Sequence, residues 1–381
     1  MGMCRRWRLG VLFSVAMVLF LPLLLSVADV GSAVMKERSG VVDKKKVDHL
    51  LFGSAAGQGR PDRLQCQGLK ALNQTYHSMP SETFDACGSV SFVTVFTVYN
   101  SSESTISDKM TVGNTSYNKV ERSIAILHTY IDFIQVSMPR SNVIILTDPA
   151  SSFPIMKRNA SLLLIKGDYS RGNLMLQRII SYIAFLETRL LEMPKCINHF
   201  IFTDSDIAVV DDLGHIFQNY PQFHLAFTFR NNKDQPLNSG LIAVRGTRDG
   251  ILRAKLFLQR VLEVYTSKYM KASRMLGDQQ ALAWIMKSQL SLGAKDFAKP
   301  KPFVAESQGT SILFLPCAIY NWTPPEGAGQ FHGMPLNVKV VHFKGSRKRL
   351  MLESWNFFNS TSNLPDMLCL ILLSGRTKYD F

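Results

Sequence analysis

The chain is poor in cysteine and poor in acid. Six cysteines in 381 residues are too few for a disulfide-built scaffold, and their spacings match no zinc motif. Cys66 and Cys87 bracket a polar segment and form the expected bridge in an oxidising compartment, and Cys196, Cys317 and Cys369 leave an unpaired count. The 29 acidic residues are outnumbered by 43 Lys and Arg, for a formal charge of +14. Those cations are dispersed along the chain, and no RNA- or DNA-binding signature lies among them, so the charge reads as a solvated basic surface that attracts anionic sugars or phosphates. No internal repeat is visible. With 46% apolar residues the core is ample.

Only one long hydrophobic run is present. Residues Leu9 to Ala28 are uncharged and long enough to cross a bilayer as a helix, with Arg5, Arg6 and Arg8 ahead of them. The reading is a cytosolic tail at 1–8, a transmembrane signal anchor at 9–28, a luminal stem at 29–88 and a catalytic domain at 89–381. A cleaved signal peptide, cut after Ala28 or Ala33, is the alternative. Either way the chain enters the secretory pathway, with Golgi or ER membrane as the expected address. Sequons at Asn73, Asn100, Asn114, Asn159, Asn321 and Asn359 agree with a luminal domain.

The stem is rich in charge, Gly, Ser and Ala, without a sustained apolar period. Order begins at Val90, where V-S-F-V-T-V-F-T-V-Y gives the strongest strand signal in the chain. Val120, Ile124, Leu127, Ile131 and Ile134 then mark a helical face. Strands at 143–146 and 162–165 follow, and a second helix carries Ile179, Ile183, Leu186 and Leu190. Next come a strand at 199–203, a short helix at 213–219 and a strand at 224–229. A turn at 235–240 leads to a strand at 241–244. A helix through Leu258, Leu262, Tyr265 and Tyr269 and another opening at Gly277 precede strands at 311–320 and 338–343. Strands alternating with amphipathic helices predict an α/β fold with a mainly parallel sheet flanked by helices. Met367–Leu373 is too short to span a bilayer and reads as packing.

The strand at 199–203 stops at Asp204-Ser205-Asp206. Two carboxylates one residue apart, at the carboxyl end of a buried strand, stand where open α/β sheets bind ligands and can turn toward one hard divalent cation. A solvated acidic turn is the plain alternative. Three further elements follow in order: Leu237-Asn238-Ser239-Gly240, Gly277-Asp278-Gln279, and His342-Phe343-Lys344-Gly345-Ser346-Arg347-Lys348.

With these four elements the chain resembles retaining glycosyltransferases of the GT-A fold, of the glycogenin and galactinol synthase type, and plant-type xylosyl- and galactosyltransferases. The resemblance covers roughly residues 90 to 350. It implies Asp204 and Asp206 as metal ligands that bridge to a donor diphosphate, with His342 as the third. Asn238, Ser239 and Gly240 would edge the donor-sugar pocket, Asp278 and Gln279 would lie near the transferred sugar, and Gly345 and Lys348 would meet the phosphates. Where members of that group often continue Lys-Pro-Trp, this chain has Arg349 and Leu350 after Lys348.

Charge balance leads to a similar site. A departing diphosphate gathers negative charge, so a divalent ion and cations aimed at its oxygens are required. Asp204, Asp206 and His342 offer a mixed oxygen and imidazole set suited to Mn²⁺, or to Mg²⁺. Lys344, Arg347 and Lys348 supply cations, and Gly345 permits close backbone approach. Ser205 lies between the two acids. Thr97 and Tyr99, at the end of the first strand, sit where a base and ribose bind. Arg171 and Arg178 precede the acidic strand and either reach the nucleotide or are surface charge. The expectation is transfer of a sugar from a nucleotide diphosphate donor, UDP-sugar first, to a hydroxyl on a glycan, glycoprotein or small acceptor. Retention of configuration is implied by the resemblance. The alternatives are a metal-dependent nucleotidyl- or phosphotransferase and a secretory glycoprotein that keeps the fold without turnover.

Overall fold

The computed structural model describes residues 88–352 apart from 100–109, 113–114, 152, 156, 158, 193–195, 233–234, 273–275, 291, 293–294 and 325–336. The expectations for the tail, the anchor and nearly all of the stem, for Met367–Leu373, for the Cys66–Cys87 bridge and for the sequons at Asn73, Asn100, Asn114 and Asn359 fall outside the described residues. Among the described residues, no helix is long and apolar enough to cross a membrane. Cys196 is disulfide-bonded, whereas Cys317 is free.

The chain runs β1 (Ser89–Val95), β2 (Met110–Val112), β3 (Thr115–Tyr117), α1 (Lys119–Ser137), β4 (Asn142–Thr147), β5 (Ala160–Leu164) and α2 (Leu174–Leu191). It continues through β6 (Asn198–Thr203), β7 (Ile207–Val209), α3 (His215–Asn219), β8 (Leu225–Phe229), β9 (Leu237–Val244) and α4 (Arg248–Val264). A π-helical turn at Tyr265–Tyr269 precedes α5 (Gly277–Gln289), β10 (Phe303–Ser307), β11 (Thr310–Pro316), α6 (Cys317–Tyr320) and β12 (Val340–His342). Eight strands form one α/β sheet in the order β10-β11-β8-β9-β6-β1-β4-β5. The alternation of strand and helix explains its mainly parallel character: β6, β1, β4 and β5 are mutually parallel, as are β8 and β11.

One inner strand runs the other way. β9 is antiparallel to both β6 and β8, so its first residues lie beside the last residues of its neighbours. The pairing of β9 with β8 slips between Phe227 and Thr228, which admits Asn238 into the ladder opposite Thr228. The segment 237–240, expected as a turn, is therefore strand. The expected strand 311–320 likewise ends at Pro316 and becomes helix α6, because the last residues leave the β8 edge.

Helix α1 opens on a reciprocal cap in which Asn118 Oδ1 accepts from the Val120 and Glu121 amides and Glu121 Oε2 accepts from the Asn118 amide. Ile126, Leu127, Ile131 and Ile134 of α1 are buried. Helices α2, α4 and α5 bury Ile179, Tyr182, Phe185, Phe257, Leu258 and Ile285 in one continuous core with Phe200, Phe202, Phe227 and Phe314 of the sheet. Each such side chain contributes about 1.5–3 kcal/mol on burial, which fixes the strand ends rigidly enough to carry a site.

Candidate metal centre

β6 delivers the acids and β12 delivers the imidazole. After Thr203 the chain turns through Asp204 and Asp206 directly into β7, which pairs antiparallel with β12 in a register that sets His342 opposite Ile207. Phe343 N–H donates to the Asp206 carbonyl at 2.8 Å, and His342 N–H donates to the Trp322 carbonyl at 2.7 Å. His342 Nε2 consequently lies 3.3 Å from Asp206 Oδ1 and 3.6 Å from Asp204 Oδ2. One ligand atom from each of Asp204, Asp206 and His342 lies within 4.8 Å of the others. Ligand bonds of about 2.1 Å at right angles put neighbouring ligand atoms about 3 Å apart, so modest inward movement closes this set on one ion. Two hard oxygens and an imidazole fit a divalent cation such as Mn²⁺ or Mg²⁺.

Cations surround the acids. Arg178 is buried and ion-pairs through Nη1 with Asp204 Oδ1 and through Nη2 with Asp278 Oδ2, while Nη2 also donates to Ser239 Oγ at 2.8 Å. Burial pushes the Arg178 guanidinium down, but Asp278 and Asp204 outweigh it, and the group is held above its ordinary value. Lys348 Nζ lies 3.1 Å from Asp206 Oδ2. Burial raises the Asp206 carboxyl, and His342 and Lys348 together pull it further down, below the usual carboxylate range. Lys344 is pushed below its ordinary value by burial and by the neighbouring cations Arg230 and Arg347.

Because β9 runs backwards, Asn238, Ser239 and Gly240 line this same edge. Asp204 N–H donates to the Gly240 carbonyl at 3.2 Å. A Cβ on Gly240 would stand 2.8 Å from His342 Cε1 and 2.9 Å from Asp204 Oδ2, so the ring and carboxylate pack where a side chain would be. Asp278 opens α5 without acting as its cap, its carboxylate being committed to Arg178. Gln279 Nε2 donates to Gln235 Oε1 at 3.0 Å, and Arg230 grips Gln235 through both its carbonyl and Oε1 at 2.9 Å.

The sequence-derived site residues thus fall into two groups. Asp204, Asp206, His342, Arg178, Asn238, Ser239, Gly240, Asp278 and Lys348 are linked by the contacts above, and Arg178 is a buried bridge rather than surface charge. Gln279 is attached through Gln235. Ser205 is half-buried between the acids, and Gly345, at φ +66, starts a 3₁₀ turn with open space around it. Thr97 hydrogen-bonds Ser151 at 2.9 Å, and Tyr99 hides a hydroxyl with no partner among the described residues, its pKa raised first by burial. Neither contacts the acids directly. Arg171 is exposed, near Tyr99.

Three participants escaped the sequence reading. Tyr130 OH bonds Thr203 Oγ1 at 2.7 Å in the buried layer beneath Asp204, and Thr228 Oγ1 donates to the Asn238 carbonyl at 3.1 Å. Asn321, read as a sequon, is buried, and its amide nitrogen is spent on Thr228 Oγ1 and Asn238 Oδ1. The folded protein has no room for a glycan there, so that sequon is a chance match. Asn159, by contrast, is exposed. Nothing in the spacing of residues 21 apart marks Asn321 as a neighbour of His342.

No protein-family model and no curated protein matches the chain.

Proposed function

We propose that this protein is a metal-dependent glycosyltransferase of the GT-A type that moves a sugar from a nucleotide diphosphate donor, UDP-sugar first, to a hydroxyl acceptor. The observation that carries this reading is the convergence of His342 on Asp204 and Asp206 at the carboxyl edge of the sheet, ringed by Arg178, Lys344 and Lys348. A bound Mn²⁺ or Mg²⁺ would be held by Asp204, Asp206 and His342 and would supply Lewis-acid stabilisation of a leaving diphosphate. In this proposal Lys348 and Lys344 would pair with phosphate oxygens as negative charge grows. Asp278, held by Arg178, and Gln279, held by Gln235, would accept and donate hydrogen bonds at the sugar hydroxyls.

Retention of configuration belongs to the same proposal. The site's described carboxylates are all engaged, Asp204 and Asp278 by Arg178 and Asp206 by His342 and Lys348, so none stands ready as a separate base. The resemblance to retaining enzymes implies that the departing phosphate would act as base for the incoming hydroxyl. Residence in the Golgi or ER membrane, through the run at 9–28, completes the proposal.

The test is a donor screen on the full-length protein, following Mn²⁺-dependent UDP release for each UDP-sugar with and without hydroxyl acceptors. Release that depends on the ion and on one sugar is the expected result, abolished in Asp206→Ala. Nucleotide exchange or hydrolysis indifferent to the sugar would favour a nucleotidyltransferase instead. Equal release by the variant and the parent protein would remove the role assigned to Asp206.

A further inference from the structure

The amides beneath the acid pair have only one possible orientation, because their chain of bonds starts at a group that can only donate. Gly240 N–H points at the Asn238 side chain from 2.7 Å, so the atom it meets is the acceptor Oδ1. That same oxygen is 2.9 Å from the Asn321 amide, whose facing atom must therefore be Nδ2. The second Nδ2 hydrogen goes to Thr228 Oγ1 at 3.1 Å. Asn321 Oδ1 is left facing His342 Nδ1 at 2.7 Å. An amide oxygen only accepts, so Nδ1 carries the proton.

The consequence falls on the other ring nitrogen. With Nδ1 protonated, Nε2 turns toward Asp206 Oδ1 and Asp204 Oδ2, 3.3 and 3.6 Å away. A bare nitrogen lone pair aimed at two carboxylates is repulsive unless a proton or a metal ion stands between them. In the opposite tautomer Nε2–H would donate to Asp206, and the nitrogen would be closed to a metal.

We propose that Asn321 is a positioning residue: it locks His342 in the tautomer whose Nε2 can ligate, reading that choice from the backbone of β9 through Asn238. The proposal rests on the metal site argued under Proposed function. It joins β9, α6 and β12 in one hydrogen-bonded chain, and it assigns the Asn321-Trp322-Thr323 sequence to the metal centre instead of to glycosylation.

The test compares Asn321→Leu with Ser181→Ala in the full-length protein, titrating Mn²⁺ and reading the free ion by electron paramagnetic resonance. Ser181→Ala removes buried side-chain hydrogen bonds to Tyr169 and Gln177, outside the chain that reaches the imidazole. Asn321→Leu is expected to weaken Mn²⁺ binding about 10- to 100-fold while Ser181→Ala stays within about threefold of the parent, at similar losses in urea midpoint. Unchanged affinity in Asn321→Leu, or equal weakening in both variants, would overturn the proposal. The ¹⁵N resonances of His342 in the parent protein give an answer that does not depend on any variant folding: Nδ1 should carry the proton, and a bare Nδ1 contradicts the assignment. A parent protein that binds no Mn²⁺ while still showing protonated Nδ1 would sink the metal reading itself, a result separate from the other two.

Discussion

Asp204 and Asp206 stand two residues apart and are neutralised in opposite ways. On the inner side, Asp204 meets Arg178, a guanidinium whose side chain is only 7% exposed and which is shared with Asp278 and Ser239. On the outer side, Asp206 meets Lys348, which is 46% exposed and rides on the turn after β12. The inner cation is built into the wall of the site, since withdrawing it strands the buried Asp278 carboxylate and leaves the partly exposed Asp204 without its partner. Lys348 keeps one end in water, and under the proposed function it would leave Asp206 for a donor phosphate.

The contrast is broken most forcefully at Arg178. Arg178→Met leaves Asp204 and Asp278 without their shared partner and should lower unfolding stability by about 3–5 kcal/mol in urea denaturation. A change under about 1 kcal/mol would show that the inner wall is not a structural element.

The two histidines sharpen the same comparison. His342 is ringed by acids, whereas His199 at the start of β6 stacks on Phe217 and accepts the Gly246 N–H at its Nδ1 at 3.0 Å. Burial, assisted by Arg245, depresses the His199 pKa to about 4. Its folded pKa lies below its unfolded value of about 6.5, so the unfolded chain takes up the proton first. The stabilisation is whole above about pH 6.5 and is lost as pH falls toward 4, by up to about 3 kcal/mol. His199→Phe should flatten that part of the stability profile, and a slope unchanged in the variant would assign the acid sensitivity elsewhere.

Gly240→Ala probes the seam between the two halves, because its new methyl would press on both the His342 ring and Asp204. Overpacking of this kind costs about 1–3 kcal/mol, and Mn²⁺ affinity should fall with it. Affinity equal to that of the parent would mean the ring is not held where Gly240 leaves room.

Lys348→Ala should change stability least, by less than about 1 kcal/mol, since the pair is half in water. Donor binding should suffer more, with UDP affinity down about tenfold for the loss of roughly 1.4 kcal/mol of charge-assisted contact. Loss of stability without loss of UDP affinity would invert the roles assigned to the two sides.

The sheet was largely legible because β1, β4 and β6 are short apolar runs separated by helices with clear periodicity, and such alternation admits few topologies. The reversed direction of β9 was not legible. Leu237–Gly240 look like a turn because Pro236, Asn238, Ser239 and Gly240 favour turns, and only pairing with β6 and β8 makes them strand. The acids were visible as a triplet, and His342 as a strand-end imidazole followed by cations. The tiny strand β7, which brings them together, has three residues and no signal of its own. Arg178 and Asn321 escaped full reading for a physical reason: each acts through partners 21 to 100 positions away, and a buried guanidinium or amide looks like surface chemistry until its partners are known.

The most direct measurement of the central claim is calorimetric titration of UDP into the full-length protein, with and without Mn²⁺, in the parent and in Asp206→Ala. UDP should bind the parent only when Mn²⁺ is present and should not bind the variant in either condition. Equal binding of UDP without the ion, or undiminished binding by Asp206→Ala, would contradict a site in which Asp204, Asp206 and His342 hold a divalent cation for the diphosphate.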